Sequence, residues 1–344
     1  MNKDESKESI ELKNINKEIQ RWYNNQSKIL NIITTPYNTN KIFLEIVKII
    51  IKENKKVIYV CNSEEIFKTF FRDLKKFLKK DNTIENYLNK ERSLLDNICY
   101  KDFKEAKYGR ENYELCIVDD ITSFSNSSKE EIRSIIENVY IYSKRIIAYS
   151  IEKTINMGIT LQIDDLVNQN IFVEPRIINT RINLNEDIPE ILYDYLIWFK
   201  NKNSKVIIYL PTDEKVNNIY NYFTNTLIIE DVNVIKLTKS ENLKDIERRY
   251  LQKNKSVFVI TNIMKNYSIK DTNVNIIVLF AEDNFFNYKK IIYLCGEVSK
   301  RKVEDDYQRE VVLVSKDTSK DMDKAKDIAR RYNKNKWQNG LMKY

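Results

Sequence analysis

The stretch ILNIITTPYNTNKIFLEIVKII, residues 29 to 50, decides how this chain folds. It opens with a mostly apolar run, Ile29 to Ile33, which is the pattern of a buried strand. A polar loop follows, and beyond it apolar residues recur at helical spacing: Ile42, Phe43, Ile46, Val47, Ile49 and Ile50. A strand, a loop that ends in a lysine (Lys41) and a helix form the arrangement that cradles phosphate groups in many proteins. The loop contains no glycine, so its usual phosphate chemistry is missing.

Length and composition set the first limits. A chain of 344 residues is longer than one ordinary core supports, which predicts two domains. Hydrophobic residues make up 42% and charged residues 31%, enough for packed cores beneath a water-facing surface. No apolar run approaches the roughly 20 residues of a membrane span. Because the first residues, MNKDESKESIELKN, are also unlike a secretory signal, we expect a cytoplasmic protein without membrane insertion.

Cysteine and histidine usage restricts the possible chemistry. The four cysteines are far apart in sequence, and the chain has no histidine. These counts exclude zinc sites of the usual ligand spacing and remove the commonest general base. Catalysis would therefore depend on carboxylates, lysines or a bound metal other than zinc. The net charge of +8 permits a polyanionic partner, although a biased genome would produce the same lysine-rich composition.

Strand and helix signals alternate through the first half of the chain. The further predicted elements are strands at residues 55–62, 113–120 and 145–150 and helices at 63–80 and 129–142. Such alternation is typical of a parallel sheet covered by helices. Between Asp81 and Arg110 the signals weaken, and we expect a helical insertion with loops there.

A boundary is expected near residues 171 to 190, where two prolines interrupt an extended stretch. Beyond it the alternation restarts. The predicted helices are 187–203, 212–223, 243–253 and 288–299, and the predicted strands are 205–211, 232–237, 256–261, 275–280 and 310–314. The sequence thus predicts a first domain at 1–175, a linker at 176–190 and a second domain at 191–344, both parallel α/β domains.

This layout resembles the two-lobed core of superfamily 2 helicases, and within them the late-competence DNA-uptake translocases of the ComFA type. The similar segments are TNVNIIVLFAEDNFFNYKKIIYLCGEVSKRK (272–302), TNIMKNYSIKD (261–271) and KVIIYLPTDEKVNNIYNYF (205–223). The likeness extends over about residues 20 to 333. It implies two tandem RecA-like domains, ATP and magnesium as cofactors, and single-stranded DNA as a partner. A protein of the competence machinery is a further implied partner.

The loop departs from the family pattern at the positions that hold phosphate and metal. The two glycines of the family fall on Asn38 and Asn40, although glycine is needed where phosphate approaches the backbone. Lys41 matches the phosphate-binding lysine, and with Thr39 and Asn40 it forms the implied nucleotide-binding set. The hydroxyl residue that ligates magnesium is replaced by Ile42. Lys41 can equally be read as an ordinary lysine at the start of a helix.

The acidic pair Asp119-Asp120 matches the Asp-Glu of the family. By this resemblance Asp119 holds magnesium and Asp120 orients the attacking water. Aspartate in place of glutamate withdraws the second carboxylate by about one bond, and a displacement of about 1 Å can cost about 10²-fold in rate. The alternative is a solvated pair of aspartates that caps the following turn.

The second lobe departs in the same direction. Gly296 is kept, but the arginine finger of the family falls on Glu297 and its second arginine on Lys300. An arginine finger is worth about 10³ to 10⁵ in rate, and a glutamate reverses its charge. Asn266 and Tyr267 stand at the Arg-Gly of the preceding motif. We therefore expect the helicase fold with weak or no ATP hydrolysis.

The family contacts the phosphates of single-stranded DNA through backbone amides, hydroxyls and basic side chains. The matching candidates here are Asn62, Ser63, Thr212, Lys215, Thr261 and Lys265. Three hypotheses stay open. The first is a degenerate helicase-fold protein that binds DNA or a competence partner, the second is an active DNA-dependent ATPase, and the third is a structural module without a nucleic-acid role.

Overall fold

A computed structural model of the protein describes residues 3–25, 27–79, 94–108, 111–166, 171–238, 256–264, 274–300 and 309–338. The chain divides into two compact units, Met1–Gln169 and Asn170–Tyr344. Each unit contains one six-stranded sheet in which all neighbouring strands are parallel. The predicted fold class, α/β with two tandem RecA-like parallel-sheet domains, is confirmed.

The sheet of the first unit has the order β3-β2-β4-β5-β1-β6. Its strands are β1 (Ile29–Ile33), β2 (Val57–Cys61), β3 (Ile98–Lys101), β4 (Tyr113–Asp119), β5 (Ser143–Ser150) and β6 (Ile159–Gln162). Its helices are α1 (Lys3–Asn24), α2 (Leu44–Lys52), α3 (Glu64–Lys79) and α4 (Lys129–Tyr142). The inner strands β2 and β4 are buried along almost their whole length, as the continuous apolar runs predict.

The sheet of the second unit has the order β7-β12-β11-β8-β10-β9. Its strands are β7 (Arg176–Asn179), β8 (Lys205–Tyr209), β9 (Val232–Leu237), β10 (Ser256–Thr261), β11 (Val274–Leu279) and β12 (Val311–Ser315). Its helices are α5 (Glu190–Asn201), α6 (Asp213–Asn225), α7 (Tyr288–Ser299) and α8 (Lys320–Gln338). The core of this unit is formed by residues of the sheet together with α5 and α6.

One sequence expectation is wrong in the part of its range that the structure describes. Residues 81–110 were expected to form a helical insertion with loops, but residues 94–108 contain β3, a parallel edge strand on β2. Only the first of its four residues, Ile98, is buried, so the segment lacks the apolar run that marks an inner strand. The predicted helix at 243–253 lies outside the described residues.

Strand β7 falls within the segment predicted as a linker, and it pairs in parallel with β12. The domain bounds 1–175 and 191–344 stay predictions. Across the described ranges, no helix combines the length and the apolar character that crossing a bilayer requires.

Candidate functional site

The carboxyl edge of the first sheet brings the loop and the acidic pair together. Strand β1 pairs with β5, and β5 pairs with β4, so Ile33 lies opposite Ser150 and Asp119 opposite Tyr149. The loop after β1 contacts the turn after β4 directly, because the N–H of Tyr37 donates to the carbonyl oxygen of Ile121 at 2.8 Å. Open α/β sheets bind ligands at this edge, in the crevice where the strand order reverses.

The side chain of Asn38 occupies a loop position that the sequence resemblance matched to a glycine. Its Nδ2 donates to Thr34 Oγ1 at 2.8 Å and to the carbonyl oxygen of Asp164 at 3.0 Å. Its Oδ1 accepts from the N–H groups of Thr39 at 2.8 Å and Leu166 at 3.2 Å. The buried amide therefore fastens the loop to the segment after β6, in space that a glycine would leave open.

Three N–H groups of the loop are already bonded within the protein. The N–H of Tyr37 donates to Ile121, that of Thr39 to the Asn38 side chain, and that of Lys41 to Thr39 Oγ1 at 3.2 Å. A phosphate-binding loop needs such N–H groups to converge on the ligand. Tyr37 also has a φ of 65°, a left-handed conformation that is costly for a bulky residue.

A buried hydrogen-bond network joins the loop to Asp119. Asn40 Nδ2 donates to the hydroxyl of Tyr59 at 3.1 Å, and that hydroxyl donates to Asp119 Oδ2. The hydroxyl of Thr122 donates to the same oxygen at 2.5 Å. Asp119 Oδ1 accepts the N–H groups of Ile121 and Thr122, both at 3.0 Å. Both carboxylate oxygens are thus bonded to protein donors.

Two buried tyrosines beside Asp119 have raised pKa values. Burial, together with the negative charge of Asp119, holds the pKa of Tyr59 well above its ordinary value. The same two causes raise the pKa of Tyr149, whose hydroxyl donates to the carbonyl oxygen of Thr39 at 3.0 Å. Both tyrosines therefore act as hydrogen-bond donors at every physiological pH, and both hold the loop or the acid in place.

Asp120 is the second acid of the pair, and it is also buried. Ser125 Oγ donates to its Oδ1, and its N–H donates to the carbonyl oxygen of Tyr149 at 3.0 Å. This carboxylate is held against its own turn. These hydrogen bonds stabilise the turn that follows β4, as the alternative expects, but both aspartates are buried and not solvated.

Magnesium and ATP can be tested against these residues. A metal on Asp119 would have to replace protein donors on both carboxylate oxygens, and the hydroxyl residue after Lys41 is replaced by the buried Ile42. Within the described ranges, no three His, Cys, Asp or Glu side chains group as metal ligands. The residues present therefore do not fit a magnesium–nucleotide complex of the usual kind.

Lys41 differs from its neighbours because it is exposed. It lies in a short 3₁₀ turn, Asn40–Phe43, that precedes α2, and Thr39 caps the turn. No hydrogen bond or ion pair engages its ammonium group among the residues that the structure describes. Lys41 is the one member of the predicted nucleotide-binding set that can reach an external anion without breaking an internal bond.

The nucleic-acid candidates of the first unit follow β2. Asn62 is exposed, but its Nδ2 donates to the carbonyl oxygen of Phe124 at 2.7 Å and its Oδ1 accepts from Ser123. Ser63 is partly buried and lies at the start of α3, where its carbonyl oxygen accepts from Ile66. Asn62 therefore links the end of β2 to the turn that follows the acidic pair.

The candidates of the second unit lie at the ends of β8 and β10. Thr212 caps α6, and Thr261 is buried with its hydroxyl bonded to the N–H of Ile263 at 3.0 Å. Lys215 is partly exposed; its ammonium lies 3.6 Å from Asp283 and 4.0 Å from the ring centroid of Phe280. The candidate Lys265 lies outside the described residues, as do Asn266 and Tyr267.

Glu297 and Lys300, which the sequence resemblance matched to arginines, pair with each other. Glu297 is 4% exposed within α7, and Lys300 Nζ lies 2.6 Å from its Oε2. Glu297 therefore neutralises the neighbouring cation. An arginine finger requires the opposite, an extended cation aimed at a ligand.

Sequence reasoning missed the tyrosines of the site. Tyr59 and Tyr149 occupy positions inside apolar strand runs, where tyrosines ordinarily pack in the core. Their rings are fully buried, but their hydroxyls reach Asp119 and Thr39. Their position in the strands could have indicated this role. Each tyrosine lies within two residues of the carboxyl end of its strand, β2 or β5, and that strand lies beside the loop or the acidic pair.

Comparisons with known proteins place the fold. No protein family's sequence profile matches the chain, and no curated protein matches its sequence. Among solved structures, RecG bound to a three-way DNA junction is similar over 96% of this chain and 48% of its own, with 11% identity and a TM-score of 0.50. The Escherichia coli DEAH/RHA helicase HrpB is similar over 90% of this chain and 43% of its own, with 11% identity and a TM-score of 0.48. The DUF1998 helicase MrfA bound to DNA is similar over 94% of this chain and 51% of its own, with 11% identity and a TM-score of 0.45.

The chain spans about half the length of these three structures. At 11% identity the likeness concerns the fold alone: two units, each with a six-stranded parallel sheet, similar over most of this chain to part of RecG.

Proposed function

We propose that this protein is a helicase-fold protein that binds single-stranded DNA without efficient ATP turnover. The observation that carries the proposal is the network Asn40–Tyr59–Asp119, which bonds the loop to the acid that would hold magnesium. Three loop N–H groups are bonded internally as well. The residues that would bind nucleotide are instead used to stabilise the carboxyl edge of the sheet.

The finer assignment is to the late-competence DNA-uptake translocases of the ComFA type. It rests on the segments at residues 205–223 and 261–302, and it adds a protein of the DNA-uptake machinery as a second partner. The DNA-binding residues in this proposal are Asn62, Ser63, Thr212, Lys215, Thr261 and Lys265. The net charge of +8 is consistent with a polyanionic partner.

Two measurements test the proposal. Fluorescence anisotropy with a labelled single-stranded oligonucleotide is expected to show binding that weakens steeply as salt rises. A ligand that binds the native state must raise the melting temperature. Since we expect the ATP analogue not to bind, thermal melting with a non-hydrolysable ATP analogue and magnesium should show no increase. The absence of oligonucleotide binding even at low salt would instead leave a structural interaction module.

An active ATPase is the second candidate, and the exposed Lys41 is the observation that favours it. It predicts DNA-stimulated ATP hydrolysis that Lys41→Ala abolishes. Our proposal predicts phosphate release at the level of the blank in both the original protein and this variant. Turnover that depends on Lys41 would contradict the proposal and establish the alternative.

A further inference from the structure

A second cluster of charges lies at the amino edge of the first sheet, opposite the site described above. Lys28 directly precedes β1, and Arg145 lies near the start of β5. The N–H of Ile146 donates to the carbonyl oxygen of Lys28 at 2.8 Å, and Ile29 lies opposite Ile146. Lys28 and Arg145 are therefore neighbours across two paired strands, an arrangement that is unfavourable for like charges.

Arg145 is a buried cation that has no counter-ion among the described residues. It is 8% exposed, its Nη1 donates to the carbonyl oxygen of Lys144 at 3.3 Å, and its guanidinium carbon lies 5.9 Å from the ring centroid of Tyr23. Its Nε has no hydrogen-bond partner, and no carboxylate of the described residues forms an ion pair with it. A buried charge is costly unless it is paired, so this guanidinium retains unused capacity for an anion.

Lys28 is the second cation of the cluster. Its ammonium lies 3.7 Å from the ring centroid of Tyr140, and no acidic group pairs with it among the described residues. Partial burial lowers the pKa of Lys28, and the charge of Arg145 lowers it further. An anion placed near both cations would offset the unfavourable interaction between their two positive charges.

Two acidic groups act on Tyr23, which contacts Arg145, and both are already paired. Glu114 accepts the Tyr23 hydroxyl at 2.9 Å and lies 3.2 Å from Lys144 Nζ. Glu53, whose charge also reaches Tyr23, lies 2.6 Å from Lys55 Nζ. Neither carboxylate forms an ion pair with Arg145 or Lys28, so the charge of these two cations is not balanced within the described unit.

We propose that Lys28 and Arg145 form a binding site for a phosphate group. Guanidinium groups bind phosphate through two parallel N–H donors, and an ammonium adds a point charge beside them. The rings of Tyr23 and Tyr140 hold the two cations in position. The site lies at the sheet edge opposite the loop and uses none of its residues, so it does not depend on the function proposed above.

Inorganic phosphate is the probe. Its addition to the full chain is expected to raise the melting temperature in a saturable manner, beyond the effect of potassium chloride at the same ionic strength. Lys28→Gln and Arg145→Gln are each expected to weaken phosphate binding about tenfold or more, as loss of a charged hydrogen bond does. Lys144→Gln is the matched control, because Lys144 is exposed and pairs with Glu114; it is expected to keep the response.

Isothermal titration calorimetry with phosphate gives an independent readout. If Arg145→Gln fails to fold, Lys28→Gln decides, because Lys28 is only partly buried. A response that potassium chloride reproduces, or that Lys28→Gln leaves unchanged, would overturn the proposal. Once the phosphate response is established, oligonucleotides with a 5′-phosphate or a 5′-hydroxyl distinguish the source. Preference for the 5′-phosphate assigns the site to a nucleic-acid end, and equal binding assigns it to a free phosphate compound.

Discussion

Tyr59 connects two parts of the chain that the sequence presents separately. Its hydroxyl accepts from Asn40 in the loop and donates to Asp119 at the end of β4. An amide in place of a loop glycine and an aspartate turned toward β2 are therefore parts of one buried arrangement. The loop is held without any glycine, since the amide groups of Asn38 and Asn40 both find partners inside the protein.

Tyr59→Phe tests the network at the level of one atom. The substitution leaves Asn40 Nδ2 without its acceptor and removes one donor from the buried Asp119 carboxylate, so it should lower the free energy of unfolding by about 1–3 kcal/mol. Urea denaturation measures the change. Tyr149→Phe is the control, because among the described residues its hydroxyl bonds only the carbonyl oxygen of Thr39, and a smaller loss of about 1 kcal/mol is expected. Equal stability of Tyr59→Phe and the original protein would exclude the network.

The buried cysteines can be tested by thiol labelling and by the pH dependence of the stability of the protein. Burial raises the pKa of the Cys61 thiol to about 12, and burial likewise raises the pKa values of Cys116 and Cys295. A thiol reagent at pH 8 should therefore label these three only after unfolding, whereas the partly exposed Cys99 should react in the native protein. As the pH rises above the ordinary thiol pKa, the unfolded chain loses these protons first, so native stability should fall toward pH 12. Fast native labelling of Cys61 would contradict the packing of β2.

At the scale of elements, the sequence predicted the buried strands and the amphipathic helices well. The structure has β1 at Ile29–Ile33, β10 at Ser256–Thr261 and α7 at Tyr288–Ser299, the bounds that the apolar patterns indicate. These elements are buried along one face or along their whole length. In such elements the spacing of apolar residues follows the buried positions, so it predicts the type of element.

The elements that sequence reasoning missed are at the sheet edges or carry few apolar residues. Strand β6 is mostly exposed, strand β7 has one buried residue, and β3 buries only Ile98. Helix α1 is rich in lysine, glutamate and asparagine, and its described residues are buried only at Ile19 and Trp22. Whether such a short segment forms a strand depends on its pairing with an existing sheet, and the sequence of the segment does not show that pairing.

The end of helix α5 supports a prediction about a helix terminus. Asn203 has a φ of 51°, and its N–H and that of Ser204 donate back to Lys200 and Phe199, both at 2.9 Å. A left-handed conformation is costly for most residues with a Cβ, but asparagine tolerates it better than alanine does. Asn203→Ala should therefore lower the free energy of unfolding by about 1 kcal/mol. Asn203→Gly is the matched control and should be neutral or slightly stabilising. Thermal or urea unfolding separates the two, and equal losses would show that the conformation is unimportant.

At the scale of the whole molecule, parallel strands explain why the site was partly predictable. The carboxyl ends of β1 and β4 had to meet at one edge of a parallel sheet, so Lys41 and Asp119 could be assigned to the same region from the sequence. The hydrogen bonds that close the site could not be assigned. Tyr59 lies 60 residues from Asp119, and Asn38 lies 126 residues from Asp164, and such contacts depend on the finished fold.

DNA binding by the whole chain can be tested through the salt dependence of affinity. Each phosphate contact that is lost should lower the slope of log affinity against log salt by about 0.7 for a single strand. Lys215→Ala should therefore weaken binding and reduce the slope by about this amount, whereas Lys334→Ala, an exposed lysine of α8, serves as the control. Asp283→Asn should have the opposite effect on affinity, because it releases the Lys215 ammonium from the carboxylate 3.6 Å away. An unchanged slope for Lys215→Ala, together with unchanged affinity for Asp283→Asn, would remove Lys215 from the DNA-binding surface.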